Sequence, residues 1–156
     1  MRLRAMMAAG AVVTLFLSSA LTAAQHSLAE DYDTANPLTL KGILIGIANL
    51  PAPNPTYLLV AVSDASGQGE QWAVEGNATA TLRQAGWSGE TLKGGESISV
   101  VVYRARRGAR VAETVPTPRP GRALERVFEL AKAGRLAHGT EITLPDGHKL
   151  MFGAIR

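Results

Sequence analysis

Three histidines, a scatter of carboxylates and a run of arginines are the residues through which this chain could do chemistry, and it contains no cysteine. Lack of Cys removes a thiol nucleophile, a Cys-ligated zinc or iron–sulfur centre and a disulfide scaffold. His26 stands out by position. Cleavage before Gln25 would set a new α-amine beside it, and amine, backbone amide and imidazole nitrogens together chelate Cu(II) or Ni(II). Cleavage before Ala24 would make His26 the third residue, the spacing of the amino-terminal copper- and nickel-binding motif. Cyclisation of Gln25 would remove the amine, and a solvated terminus with an incidental histidine is the competing reading. His138 and His148 have no metal-ligand spacing, and His148 follows the glycine of a turn, which places it in solvent. Glu30, Asp31 and Asp33 could hold a hard cation but read as a solvated acidic arm. No nucleophile–base pair or complete metal set is visible, so no catalytic residue is assigned and the chain reads as non-enzymatic. No cofactor is expected beyond Cu or Ni at Gln25 and His26.

Two other groups invite a ligand. Arg104, Arg106, Arg107 and Arg110 lie within seven residues. From Arg104 to Arg135 nine basic residues face three acidic ones, a net of +6. Outside the cytoplasm such a patch would meet anionic lipid or acidic wall polymers. Nucleic acid is the less apt partner: Arg clusters suit it, but a row of stacking aromatics is missing. Tyr57 and Trp87 are candidates to line a ligand groove, with core packing as the alternative for each.

The elements that must position these residues begin after a processing segment. Arg2 and Arg4 precede an apolar run from Ala5 to Leu21, and Thr22-Ala23-Ala24 supplies small residues at a signal-peptidase site. Residues 1–24 are expected to be a signal peptide and 25–156 a single domain, periplasmic or secreted. The run is short for a membrane span, which needs roughly 20 apolar residues.

Along the remainder, Pro37 to Ala48, Thr56 to Ser63, Glu70 to Glu75 and Ser97 to Arg104 read as strands by alternation and β-branched content. Gly42 and Gly46 mark a bend in the first. Trp72 and Val74 should point inward, as should Ile98, Val100 and Val102. Asn77 is placed to cap a short helix, 78–85, closed by Gly86. Residues 105–120 read as an Arg/Pro loop. Arg122 to Ala133 is an amphipathic helix with Leu124, Val127, Phe128 and Ala131 at i, i+3, i+4, i+7. Two short strands, 140–144 and 149–152, flank a Pro145-Asp146-Gly147 turn. The fold class is mainly β: a small, OB-like, partly closed barrel of five or six strands with one short helix. A two-sheet sandwich is the alternative.

The residues Gln25-His26-Ser27, Leu38-Thr39-Leu40-Lys41-Gly42, Asn54-Pro55-Thr56-Tyr57, Trp72-Ala73-Val74-Glu75-Gly76, Gly86-Trp87-Ser88, Leu92-Lys93-Gly94-Gly95-Glu96 and Thr143-Leu144-Pro145-Asp146-Gly147-His148-Lys149-Leu150 occur in that order. As an ordered set they resemble a family of small exported bacterial proteins of unknown function. That family has an HHSF-like mature start, an NPHAW-like segment and a closing TLPDGRKLF-like run. The resemblance implies a small OB-like barrel and no defined activity. The chain departs from it at Gln25 and Thr56, where the family carries histidines, and through an insertion of about 105–139.

The expectation is an exported envelope protein with a non-enzymatic barrel that binds a small ligand or an unidentified partner protein. A copper- or nickel-binding accessory protein using His26 is the second reading.

Overall fold

The computed structural model describes residues 28–50, 54–63, 66–107, 109 and 121–154. A single turn of helix, α1 (Leu28–Asp31), leads into β1 (Tyr32–Asn49), followed by β2 (Pro55–Ser63), β3 (Gly69–Ala78), α2 (Thr79–Gln84), β4 (Ser97–Ala105), α3 (Arg122–Lys132), β5 (Leu136–Thr143) and β6 (Lys149–Met151). Among the described residues no helix is long and apolar enough to cross a membrane.

The long strand β1 is shared between two neighbours. Its first part pairs antiparallel with β4 up to Ile43, and from Gly42 onward it pairs with β2. Gly42 sits where both pairings meet. A Cβ there would stand 2.2 Å from the Ala61 carbonyl oxygen, so the close approach requires glycine. A register shift between Leu44 and Gly46 bends the strand further. β3 pairs antiparallel with β2 and, through Ala73 to Glu75, parallel with the first residues of β5. β5 pairs antiparallel with β4. The ring β1–β2–β3–β5–β4 is thereby complete, with β6 added beside the second half of β5. This is the expected OB-like, partly closed barrel, with α2 between its third and fourth strands.

Alternation divides each strand between two cores. Leu44, Leu58, Val60, Trp72, Val74 and Val100 fill the interior together with Phe152 and with Leu82 of α2. Leu59, Ala73, Tyr103 and Leu136 point outward and meet Leu124, Val127 and Leu130 of α3. Trp72 and Val74 are 4% and 0% exposed, the inward facing expected for them.

Both longer helices end in the same way. Gly134, at φ +73°, follows α3, with Gly134 N–H donating to Ala131 and Arg135 N–H to Leu130. Gly86, at φ +94°, follows α2, with Gly86 N–H donating to Arg83 and Trp87 N–H to Leu82. Each is a Schellman closure, and each delivers the next residue to a fixed place.

The structure differs from the sequence reading in four places. β1 starts at Tyr32, not Pro37, and α1 takes up Glu30 and Asp31 of the segment read as an acidic arm. Asn77 belongs to β3 and does not cap α2: its N–H donates to the Phe152 carbonyl, and the N-cap position is Ala78 without a side-chain bond. β5 begins at Leu136, inside the segment read as an insertion of 105–139. Its first residues are held by β3, a partner far away in sequence. On α3 the third fully buried residue is Leu130, while Phe128 and Ala131 are partly covered, because the helix meets a curved sheet along one narrow line.

Candidate functional site

Two places gather polar side chains against apolar walls. The first is a crevice of about 180 Å³ at one end of the barrel, between α2 and the second half of β1. The Schellman turn after α2 presents Trp87 at its edge. The indole N–H donates to the Met151 carbonyl at 2.9 Å, and the ring leans on Phe152 at 5.5 Å between centroids. Ile47, Leu58, Leu82 and Leu92 form an apolar wall. Thr56 is 2% exposed, and its hydroxyl pairs with that of Thr79 at 3.1 Å. Among the described residues Arg83 is the one charged member of this lining. Small-molecule sites have this character: apolar walls with a few placed polar groups.

The second is a row of residues across the outer face. Cross-strand register aligns Tyr57 of β2 with Glu75 of β3, Glu75 with His138 of β5, and His138 with Tyr103 of β4. The Tyr57 hydroxyl donates to one oxygen of the Glu75 carboxylate at 2.9 Å. The other oxygen lies 3.8 Å from His138 Nδ1, too far for a hydrogen bond. Tyr32, from the start of β1, packs its ring 5.4 Å from the imidazole at 50°. Among the described residues the buried side-chain atoms without a close hydrogen-bond partner are the Tyr32 hydroxyl, whose contact with Glu75 is a long one, and both nitrogens of His138. Burial first, then the charge of the Glu75 carboxylate, Tyr57 and a weak hydrogen bond from the phenol toward Glu75, holds the Tyr32 phenol well above its ordinary acidity range.

The structure separates the two residues expected to share a groove. Trp87 borders the crevice, whereas Tyr57 is fully buried on the outer face beside Glu75. The arginine cluster is likewise divided. Arg104 lies over the Trp72 ring at 5.1 Å, a cation–π contact. Arg106 ties the chain start to β4: its N–H donates to Asp31, and its Nε to Ala29 at 3.2 Å and Tyr32 at 3.3 Å. Arg107 is exposed. Arg110, Gln25 and His26 lie outside the described residues, as does the 1–24 segment. Further along the basic segment, Arg126 donates to Gln71 at 2.8 Å and Arg135 pairs with Glu70 at 3.2 Å, joining the barrel's acidic side. His148 is exposed, as expected of a residue after a turn glycine. Among the described residues no three His, Asp, Glu or Cys side chains gather as a metal set.

By sequence alone Glu75 is the last residue of a strand and His138 has no partner. The signal that could have joined them is the stretch Leu136 to Thr143, whose β-run starts before His138 once Gly139 is allowed inside a strand. Gly139 is required there: a Cβ would stand 2.6 Å from a Val74 methyl.

The model of a family of unknown function, DUF6152, matches residues 12–114, more than half of the chain. The chain belongs to DUF6152. The matched span takes in β1 to β4 and with them Tyr57, Glu75 and Trp87, while α3, β5 and His138 lie beyond it. No curated protein and no solved structure matches the chain significantly.

Proposed function

We propose that this DUF6152 protein is exported to the bacterial envelope and binds a small molecule in the crevice beside Trp87. The observation that carries the reading is the crevice itself, with an apolar wall, a partly buried threonine pair and, among the described residues, a single cation, Arg83. That lining favours a fragment-sized ligand with a flat apolar part to lie against the indole and an acidic group for Arg83. The outer face of β2 and β3, through which OB barrels commonly take up oligomers, is covered here by α3. An open cleft at the barrel end therefore supports small-ligand binding better than oligomer binding. Export rests on Arg2, Arg4, the apolar run and Thr22-Ala23-Ala24.

The test is native mass spectrometry of protein recovered from the envelope fraction. The expected mass corresponds to a chain starting at Gln25, with a small molecule bound that is lost in Trp87→Ala and in Arg83→Ala. Loss of a direct charged contact should weaken binding about tenfold or more, since each tenfold is about 1.4 kcal/mol. A full-length mass would sink the export reading, and a ligand retained by both variants would sink the crevice.

A further inference from the structure

The Tyr32 hydroxyl and His138 Nδ1, both buried and without a close partner, call for an occupant, because a buried polar group without a partner is rare and costly. His138 is 5% exposed and Tyr32 3%. The imidazole, the free oxygen of Glu75 and the Tyr32 phenol come from three strands, β5, β3 and β1, that the barrel holds rigidly together. Tyr57 fixes the carboxylate from behind by bonding its other oxygen, as outer-shell partners orient metal ligands. We propose that His138 Nδ1, the free oxygen of Glu75 and the Tyr32 oxygen form a site for one divalent transition cation of the copper–zinc type, a site distinct from the crevice.

The spacing of the two donors suits a cation better than a water. Bonds of about 2.1 Å span the 3.8 Å between Nδ1 and the carboxylate oxygen at about 130°, and a few tenths of an ångström of movement make the angle tetrahedral. A water at about 2.8 Å from each atom would be bent to about 85° across the same gap. Nitrogen and oxygen donors without sulfur match Cu(II) and Zn(II). On binding, the Tyr32 O–H bond breaks, a metal–oxygen bond forms and the proton leaves to solvent. The divalent charge is then cancelled by one carboxylate and one phenolate, the condition for holding an ion away from water. Burial first, and then the Glu75 charge, opposes a bare phenolate, and the charge of the ion offsets both.

The experiment titrates Cu(II) and Zn(II) alone into the full chain carrying His26→Ala, which removes the terminal chelate. One equivalent of metal should bind, raise the melting temperature and release a proton. Cu(II) should also produce a phenolate-to-copper absorption band. His138→Ala and Glu75→Gln should each weaken binding at least about 100-fold, at the upper end of what metal-site partners cost. Tyr32→Phe, which keeps the ring and its packing, should abolish the band, and it carries the test if either other variant fails to fold. Unchanged melting with both metals overturns the site. So does stoichiometric binding that survives His138→Ala, or a copper band that survives Tyr32→Phe.

Discussion

Replacing Leu130 by Ala tests whether α3 is structural to the barrel. The side chain is 4% exposed and belongs to the same apolar cluster as Leu59, Ala73 and Leu136. Leu→Ala in a core costs about 2–5 kcal/mol. A helix lying on one side of a sheet can settle into part of the space, which places the expected loss at about 2–3 kcal/mol. A domain of about 130 residues has an unfolding entropy of about 0.27 kcal/mol/K, so the melting temperature should fall by about 7–11 °C. Half-buried Phe128→Ala should cost less, and exposed Glu125→Ala should stay within about 0.5 kcal/mol. Thermal melts by circular dichroism, paired with urea titrations at unchanged m, give the ranking Leu130, Phe128, Glu125. A Leu130→Ala melt within about 2 °C of the parent would refute the reasoning, since α3 would then contribute almost nothing to the folded state. Phe128→Ala outranking Leu130→Ala would show that a different face of the helix meets the sheet.

Trp72→Ala should cost about 3–5 kcal/mol in urea unfolding, and Arg104→Ala about 0.5–1 kcal/mol in the parent but almost nothing once Trp72 is absent. Gly153→Ala should destabilise by more than a surface change, because a Cβ would stand 2.2 Å from the Gly139 carbonyl oxygen and 2.6 Å from His138 Nε2; a melt equal to the parent's would contradict that packing. Tyr32 stays protonated in the folded chain while an unfolded tyrosine ionises near its ordinary pKa of 10. Its contribution to stability is therefore complete below pH 10 and is lost above it by about 1.4 kcal/mol per pH unit. Urea unfolding between pH 9 and 11 should show that decline, shallower in Tyr32→Phe, and equal slopes would exclude a buried phenol.

The basic connection between β4 and β5 behaves as part of the barrel. Arg106 is spent on backbone carbonyls of the chain start, and Arg126 and Arg135 on Gln71 and Glu70 of β3. The +6 of this segment is thus partly drawn onto the acidic remainder of the chain. Arg107, Arg122 and Lys132 are the exposed cations among the described part of that segment for which no such bond is seen, and a surface role would have to rest on them.

Local pattern determined a good deal of this protein. Alternation placed Trp72, Val74, Ile98, Val100 and Val102 inward, because side chains on a strand change face at every residue. Spacing of three and four found α3, and Gly86, Gly134 and Gly147 marked turns whose positive φ an L side chain resists. Strand count with one intervening helix was enough for an OB-like barrel. What only the tertiary structure decided is which strand lies beside which. The β3–β5 pairing joins residues more than sixty positions apart and leaves no periodic trace in either segment. That pairing sets Glu75 beside His138, and the outward facing of β2 sets Tyr57 behind them and away from Trp87. A cluster built from β1, β2, β3 and β5 has no spacing to read along the chain, since its members meet through hydrogen-bond register and not through sequence distance.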